Sequence, residues 1–150
     1  MGAARQAAEA VTTALENHDV QRARAWLADD FTFHDPSSPQ GPMSADEWLA
    51  ANESVFRAFP DFSFNFDVMR EEGNHAWVST QMQGTHSGDW DLSRMGMGTV
   101  PASGRTVSTG KSVTRGTVNN DGKIQRIEVV EQDEGGGMIG ILQQVGVDMG

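Results

Sequence analysis

The chain has 150 residues, no cysteine, and 21 acidic against 11 basic side chains, a formal net charge of −10. That length suits one domain over residues 1–150 with a real core, while the acidic balance excludes a nucleic-acid partner and an anionic membrane surface, both of which need a concentrated basic face. Lack of cysteine removes disulfides, thiolate metal sites and cysteine nucleophiles, and without a membrane-length apolar run or a signal-peptide pattern the expectation is a soluble cytoplasmic protein.

Ala4, Ala7, Ala8, Val11, Ala14 and Leu15 recur at helical spacing and predict an amphipathic first helix. Asp19 is a cap for a shorter helix with an apolar face of Val20, Ala23, Trp26 and Leu27, and Phe31 to Asp35 reads as a short strand. A Pro-, Ser- and Gly-rich connection leads to Ser44-Ala45-Asp46-Glu47, which has the spacing of a capping box. The helix it opens carries Trp48, Leu49, Val55, Phe56 and Phe59, a face broad enough to lie on a sheet.

Phe62, Phe64, Phe66 and Val68 alternate, a turn follows at Glu72-Gly73-Asn74, and Ala76, Val78, Thr80, Met82 and His86 alternate in turn. A side-chain period of two puts His86 on the face of Val78 and Met82, at the rim of an apolar surface suited to a small-molecule pocket. The connection from Ser87 to Arg105, with Trp90, Met95 and Met97, reads as a flap over a cavity or an ordinary packed loop. Thr106 to Val118 then alternates, Asn119-Asn120-Asp121-Gly122 makes a tight turn, Lys123 to Gln132 is the last strand, and Met138 to Val145 reads as a short helix or apolar tail.

Helices first and strands afterwards is the α+β pattern: a cone-shaped, curved antiparallel or mixed sheet closed by N-terminal helices around a pocket. In order along the chain, Phe31-Thr32-Phe33-His34-Asp35-Pro36, Gly41-Pro42, Phe59-Pro60-Asp61-Phe62 and Gly84-Thr85-His86-Ser87-Gly88 resemble the SnoaL-like polyketide cyclases, of the nuclear transport factor 2-like (cystatin-like) superfamily. Pro101-Ala102-Ser103-Gly104-Arg105-Thr106-Val107, Asp121-Gly122-Lys123-Ile124 and Gly140-Ile141-Leu142-Gln143-Gln144-Val145-Gly146 extend the resemblance over most of the chain.

The resemblance implies acid/base chemistry next to a carbonyl, without metal or cofactor, and a homodimer, for which Gln125, Ile127 and Val129 are candidate surface. It places His34 and His86 at pocket positions. The family's acid/base aspartate falls at Gln132, with Asp133 one residue beyond, so Glu128 and Asp133 are the candidate bases and Glu131 the third. The family's pocket histidine on the preceding strand has no counterpart among Ser112, Thr114, Arg115 and Gly116. The expected catalytic residues are therefore His34, His86 and Glu128 or Asp133, with Trp48, Met82, Trp90, Met95 and Met97 as substrate-binding walls. No helical His-Glu-x-x-His, dinucleotide loop, nucleophile elbow or phosphate loop occurs, so no metal site or cofactor is expected. The function read from this pattern is a cyclase, isomerase or lyase acting by general acid/base catalysis on a small apolar carbonyl or cyclic substrate. The alternative is a non-catalytic protein of the same fold that binds a small hydrophobic ligand.

Overall fold

The computed structural model describes residues 2–36, 41–93, 98–133 and 137–146, the last segment with side chains from 140 onward. Helix α1 (Ala3–Glu16) buries Ala4, Ala7, Ala8, Val11, Ala14 and Leu15, the stripe that its spacing predicts. Gly2 offers this helix no capping side chain. The Glu71 carboxylate replaces one, accepting from Gly2 N at 3.0 Å and Arg5 N at 2.8 Å, which satisfies two of the free first-turn donors.

Helix α2 (Val20–Arg24) is capped by Asp19, whose carboxylate accepts from Arg22 N at 3.1 Å. It stops three residues short of Leu27, which opens strand β1 (Leu27–His34). The cause is tertiary: Leu27 registers in parallel with Ile124, and Ile124 N donates to Trp26 O at 2.7 Å. Strand β2 (Met43–Ser44) leads into helix α3 (Ala45–Ala58) through the predicted capping box, with both reciprocal bonds of Ser44 and Glu47 formed.

The next strand begins later than its alternation suggests. Phe62 and Phe64 are buried, but Asn65 sits at φ 51° and only Ser63 makes a bridge, to Gln83, so regular pairing starts with β3 (Asp67–Glu72) against β4 (His75–Thr80). Short β5 (Gln83–Thr85), β6 (Trp90–Asp91), β7 (Thr99–Val100) and β8 (Thr106–Ser108) follow. The predicted strand from Thr106 to Val118 is divided at Thr109, whose N and Oγ1 bond the backbone of Met82. That switch sends β8 to pair with β5 and leaves β9 (Ser112–Val118) in the main sheet with β10 (Ile124–Gln132). Helix α4 (Gly137–Gln144) ends the described chain.

The main sheet runs β2-β1-β10-β9-β4-β3, antiparallel except for the β1–β10 pair, and α1 and α3 pack on one face of it. Here the α+β cone with a mixed sheet is realised. Among the described residues no helix is long and apolar enough to cross a membrane.

Candidate functional site

Two irregularities in β10 decide which of its side chains face the helices. Register shifts fall between Ile124 and Arg126 and between Val129 and Glu131, each leaving one extra residue on β10. After the second, Glu131 lies opposite Val113 and Gln132 opposite Ser112. An unbroken ladder would instead set Glu131 against Ser112 and turn its carboxylate inward.

The inward residues form rows across three strands. Thr80, Ser112 and Gln132 make the first; Val78, Thr114 and Val129 the second; Ala76, Gly116 and Ile127 the third; Val118 and Ile124 continue on β9 and β10. All of them line a cavity of about 280 Å³ between the sheet and the helices. The cavity is mainly apolar; its polar lining is Thr80, Ser112 and Gln132 at one end, Thr12, Asn52, Ser54 and Thr114 elsewhere, and three carboxylates. Trp48 from α3, Met82 beyond β4 and Trp90 from the flap line it as well. Trp48 packs against two rings of β1, Phe31 at 5.3 Å and Phe33 at 5.6 Å between centroids.

Three acidic side chains reach the lining: Asp35, Glu47 and Asp91. Glu47 is engaged in the α3 capping box, and Asp91 accepts from Ser93 N at 2.9 Å in an exposed turn. Asp35 is half-buried. It follows the last registered pair of β1, His34 with Glu128, and so leaves the strand at the level of Val129, beside the polar row. The lining contains no Lys, Arg or His among the described residues, and no three His, Asp or Glu side chains converge as a metal site among them.

Buried polar atoms without partners are expensive in a fold that normally satisfies them. Among the described residues three stand out: Ser112 Oγ, Trp90 Nε1 and His86 Nε2. The first two belong to cavity-lining side chains.

A family model for SnoaL-like polyketide cyclases matches residues 5–135. The chain belongs to the SnoaL-like polyketide cyclase family. No curated protein sequence matches this SnoaL-like chain. It is similar in structure to a protein from Jannaschia sp. CCS1 assigned to the SnoaL-like polyketide cyclases (16% identity, TM-score 0.72, 97% of this chain and 93% of that one). Similar too is IdmH from Streptomyces antibioticus, assigned as a polyketide cyclase (21% identity, TM-score 0.68, 96% and 99% coverage). An NTF2-like protein of unknown function from Burkholderia pseudomallei shares the fold as well (18% identity, TM-score 0.70, 98% and 100% coverage).

Against this SnoaL-like frame the expected site residues separate. His34 and Glu128 do meet in register, but in a row on the outer face of the sheet that continues through Arg115 to Trp77, and neither lines the cavity. The His34 ring bonds Thr32 Oγ1 at 3.0 Å. Glu128 is bound by the Arg115 guanidinium and by Arg126 Nη2 at 3.3 Å. The Arg115 hydrogen bond leads in holding its carboxyl below the usual carboxylate range, outweighing the cost of burial. Such a group is a poor proton acceptor near neutrality. Asp133 and Glu131 are exposed and absent from the lining. Ile127 and Val129, expected on a dimer surface, face the cavity because the first irregularity of β10 turns them inward. Met95 and Met97 lie outside the described residues.

His86 is fully buried on the same side as Met82, stacked on Phe59 at 5.1 Å, yet does not line the cavity. Ser103 N donates to its Nδ1 at 3.3 Å and Ser103 Oγ lies 2.8 Å from the same atom, which leaves the neutral ring's proton on Nε2. Burial pushes the pKa below its ordinary value near 6.5, against the charge of Asp89 and the Val100 carbonyl. With His86 N donating to Arg105 O and Gly104 N to His86 O, the residue clips the two ends of the flap together. Gly88 completes the clip: a Cβ there would stand 2.4 Å from Arg57 O, so only glycine lets the flap rest on the end of α3.

Sequence reasoning missed Asp35, although it stands beside His34 in the quoted segment. Phe33 and Asp35 share parity, which was the available signal. It also passed over Gln132 and Ser112, which carry no charge to attract attention.

Proposed function

We propose that this SnoaL-like chain is a cofactor-independent acid/base catalyst that moves a proton next to the carbonyl of a small, neutral, largely apolar substrate, with Asp35 as the base. The reading rests on one observation: the half-buried Asp35 lines the mainly apolar cavity at the level of Val129, one row from its Thr80–Ser112–Gln132 end. In the step, the C–H electron pair moves into the C–C bond of an enolate, the carbonyl π pair moves to oxygen, and Asp35 holds the proton until it is returned to carbon. A cyclase, isomerase or lyase would each use that step. His34, Glu128 and Asp133 have no part in it, and His86 serves by holding the flap. The wider proposal includes a homodimer formed through the outer sheet face, where Val130 is 39% exposed.

Methyl naphthyl ketone in deuterated buffer tests the reading. The protein is expected to exchange the ketone's methyl protons for deuterium, seen as loss of the methyl proton NMR signal. Binding of the ketone with no exchange above buffer would favour instead the non-catalytic ligand-binding reading, to which the amide of Gln132 at the family's aspartate position lends weight.

A further inference from the structure

We propose that Ser112 and Gln132 form a neutral pole that holds the carbonyl oxygen of the ligand and discriminates against carboxylates, with the indole N–H of Trp90 a further unpartnered donor in the same cavity. This deepens the acid/base reading by naming what binds at that end of the same cavity.

Ser112 is 3% exposed, lines the cavity, and its hydroxyl has no hydrogen-bond partner. Trp90 is 1% exposed, lines the same cavity, and its Nε1–H is likewise unpartnered. A buried donor without an acceptor costs about 1–3 kcal/mol, and a ligand oxygen that accepts from it recovers that cost. Gln132, an exposed residue, stands directly across from Ser112 in the β9–β10 ladder and also lines the cavity, so the two border one end of the space at its rim. The third member of the row, Thr80, already donates its hydroxyl to Phe64 O at 2.6 Å and can only accept. The Ser112 hydroxyl and the Trp90 indole N–H are left as donors without an acceptor, which a ligand oxygen with lone pairs would supply.

Charge sets the class of that oxygen. The described lining holds Asp35, Glu47 and Asp91 and no basic side chain, in a chain of net charge −10. A carboxylate ligand would be buried without a countercharge, a cost of several kcal/mol. A ketone, ester or lactone oxygen accepts the same hydrogen bonds without it. The irregularity at Val129–Glu131 creates this neutrality, since it removes Glu131 from the pole and installs an amide. The same donors would strengthen their bonds to the oxygen as an enolate forms next to Asp35.

Three probes of one shape separate the possibilities: methyl naphthyl ketone, ethylnaphthalene and naphthoate, each titrated against wild type, Ser112→Ala and Gln132→Leu by tryptophan fluorescence. The ketone should bind wild type about tenfold or more tightly than the hydrocarbon, and naphthoate more weakly than either. Each substitution should remove most of the ketone's advantage while leaving ethylnaphthalene affinity within about twofold, a control that also certifies an intact cavity. Equal binding of ketone and hydrocarbon, an unchanged ratio in both variants, or tightest binding of naphthoate would overturn the pole. Proton exchange read in the same samples keeps the two ideas apart. Ketone preference without exchange supports the pole and removes the Asp35 base, whereas exchange without ketone preference removes the pole and keeps the base.

Discussion

The two faces of the β4–β9–β10 sheet share the same backbone and carry opposite chemistry. Outside, His34, Glu128, Arg115 and Trp77 line up in one cross-strand row, the carboxylate saturated by two guanidinium groups and the indole covered by Arg70 at 4.0 Å. Inside, Val78, Val129, Ala76 and Ile127 floor a mainly apolar space in whose lining the Ser112 hydroxyl and the Trp90 indole N–H have no partner. Satisfied charge makes the outer row structural. Unsatisfied polar atoms beside apolar surface make the inner one receptive to a ligand.

That contrast can be broken from either side. Trp48→Ala, which empties a nine-tenths-buried inner wall, should destabilise by about 3–5 kcal/mol in urea unfolding, the cost of a large core truncation. A loss below about 1 kcal/mol would mean that the wall collapses freely and the cavity has no fixed shape.

On the outer face the effects should be smaller. Glu128→Gln should cost about 1 kcal/mol or less at pH 7, the range of partly exposed ion pairs. The Glu128 carboxyl titrates near 4.5 when unfolded and lower when folded, so its contribution is complete above that value and disappears as pH falls through the folded pKa. Wild type and variant should therefore converge in acid, as measured by unfolding at stepped pH. The smallest change expected is in slope alone. Unfolded His86 takes up its proton near pH 6.5 and the buried ring only at lower pH, so wild-type stability should fall between those values. His86→Gln should flatten that decline, and an unchanged slope would assign it to another group.

Local signals made much of the fold readable. The α1 stripe and the Ser44–Glu47 box are short-range patterns, and both elements form where they predict. Leu27 and Thr109 went elsewhere because each answers to a distant backbone, Ile124 in one case and Met82 in the other. The site was less legible for the same reason. Inward and outward on β10 depend on two inserted residues, which only pairing with β9 reveals, and a shift of one residue exchanges Glu131 for Gln132. Acid/base reasoning also favours charged side chains, yet on this strand Glu128 is spent on Arg115 while the pole residues are neutral.

The most direct measurement sets one carboxylate from each face against the other: methyl-proton exchange of methyl naphthyl ketone catalysed by Asp35→Asn and by Glu128→Gln, both folded by circular dichroism. Exchange should fall by about 100-fold or more in Asp35→Asn, the usual worth of a positioned general base, and stay within about twofold of wild type in Glu128→Gln. Full exchange in Asp35→Asn, or its loss in Glu128→Gln, would contradict the assignment of catalysis to the inner face.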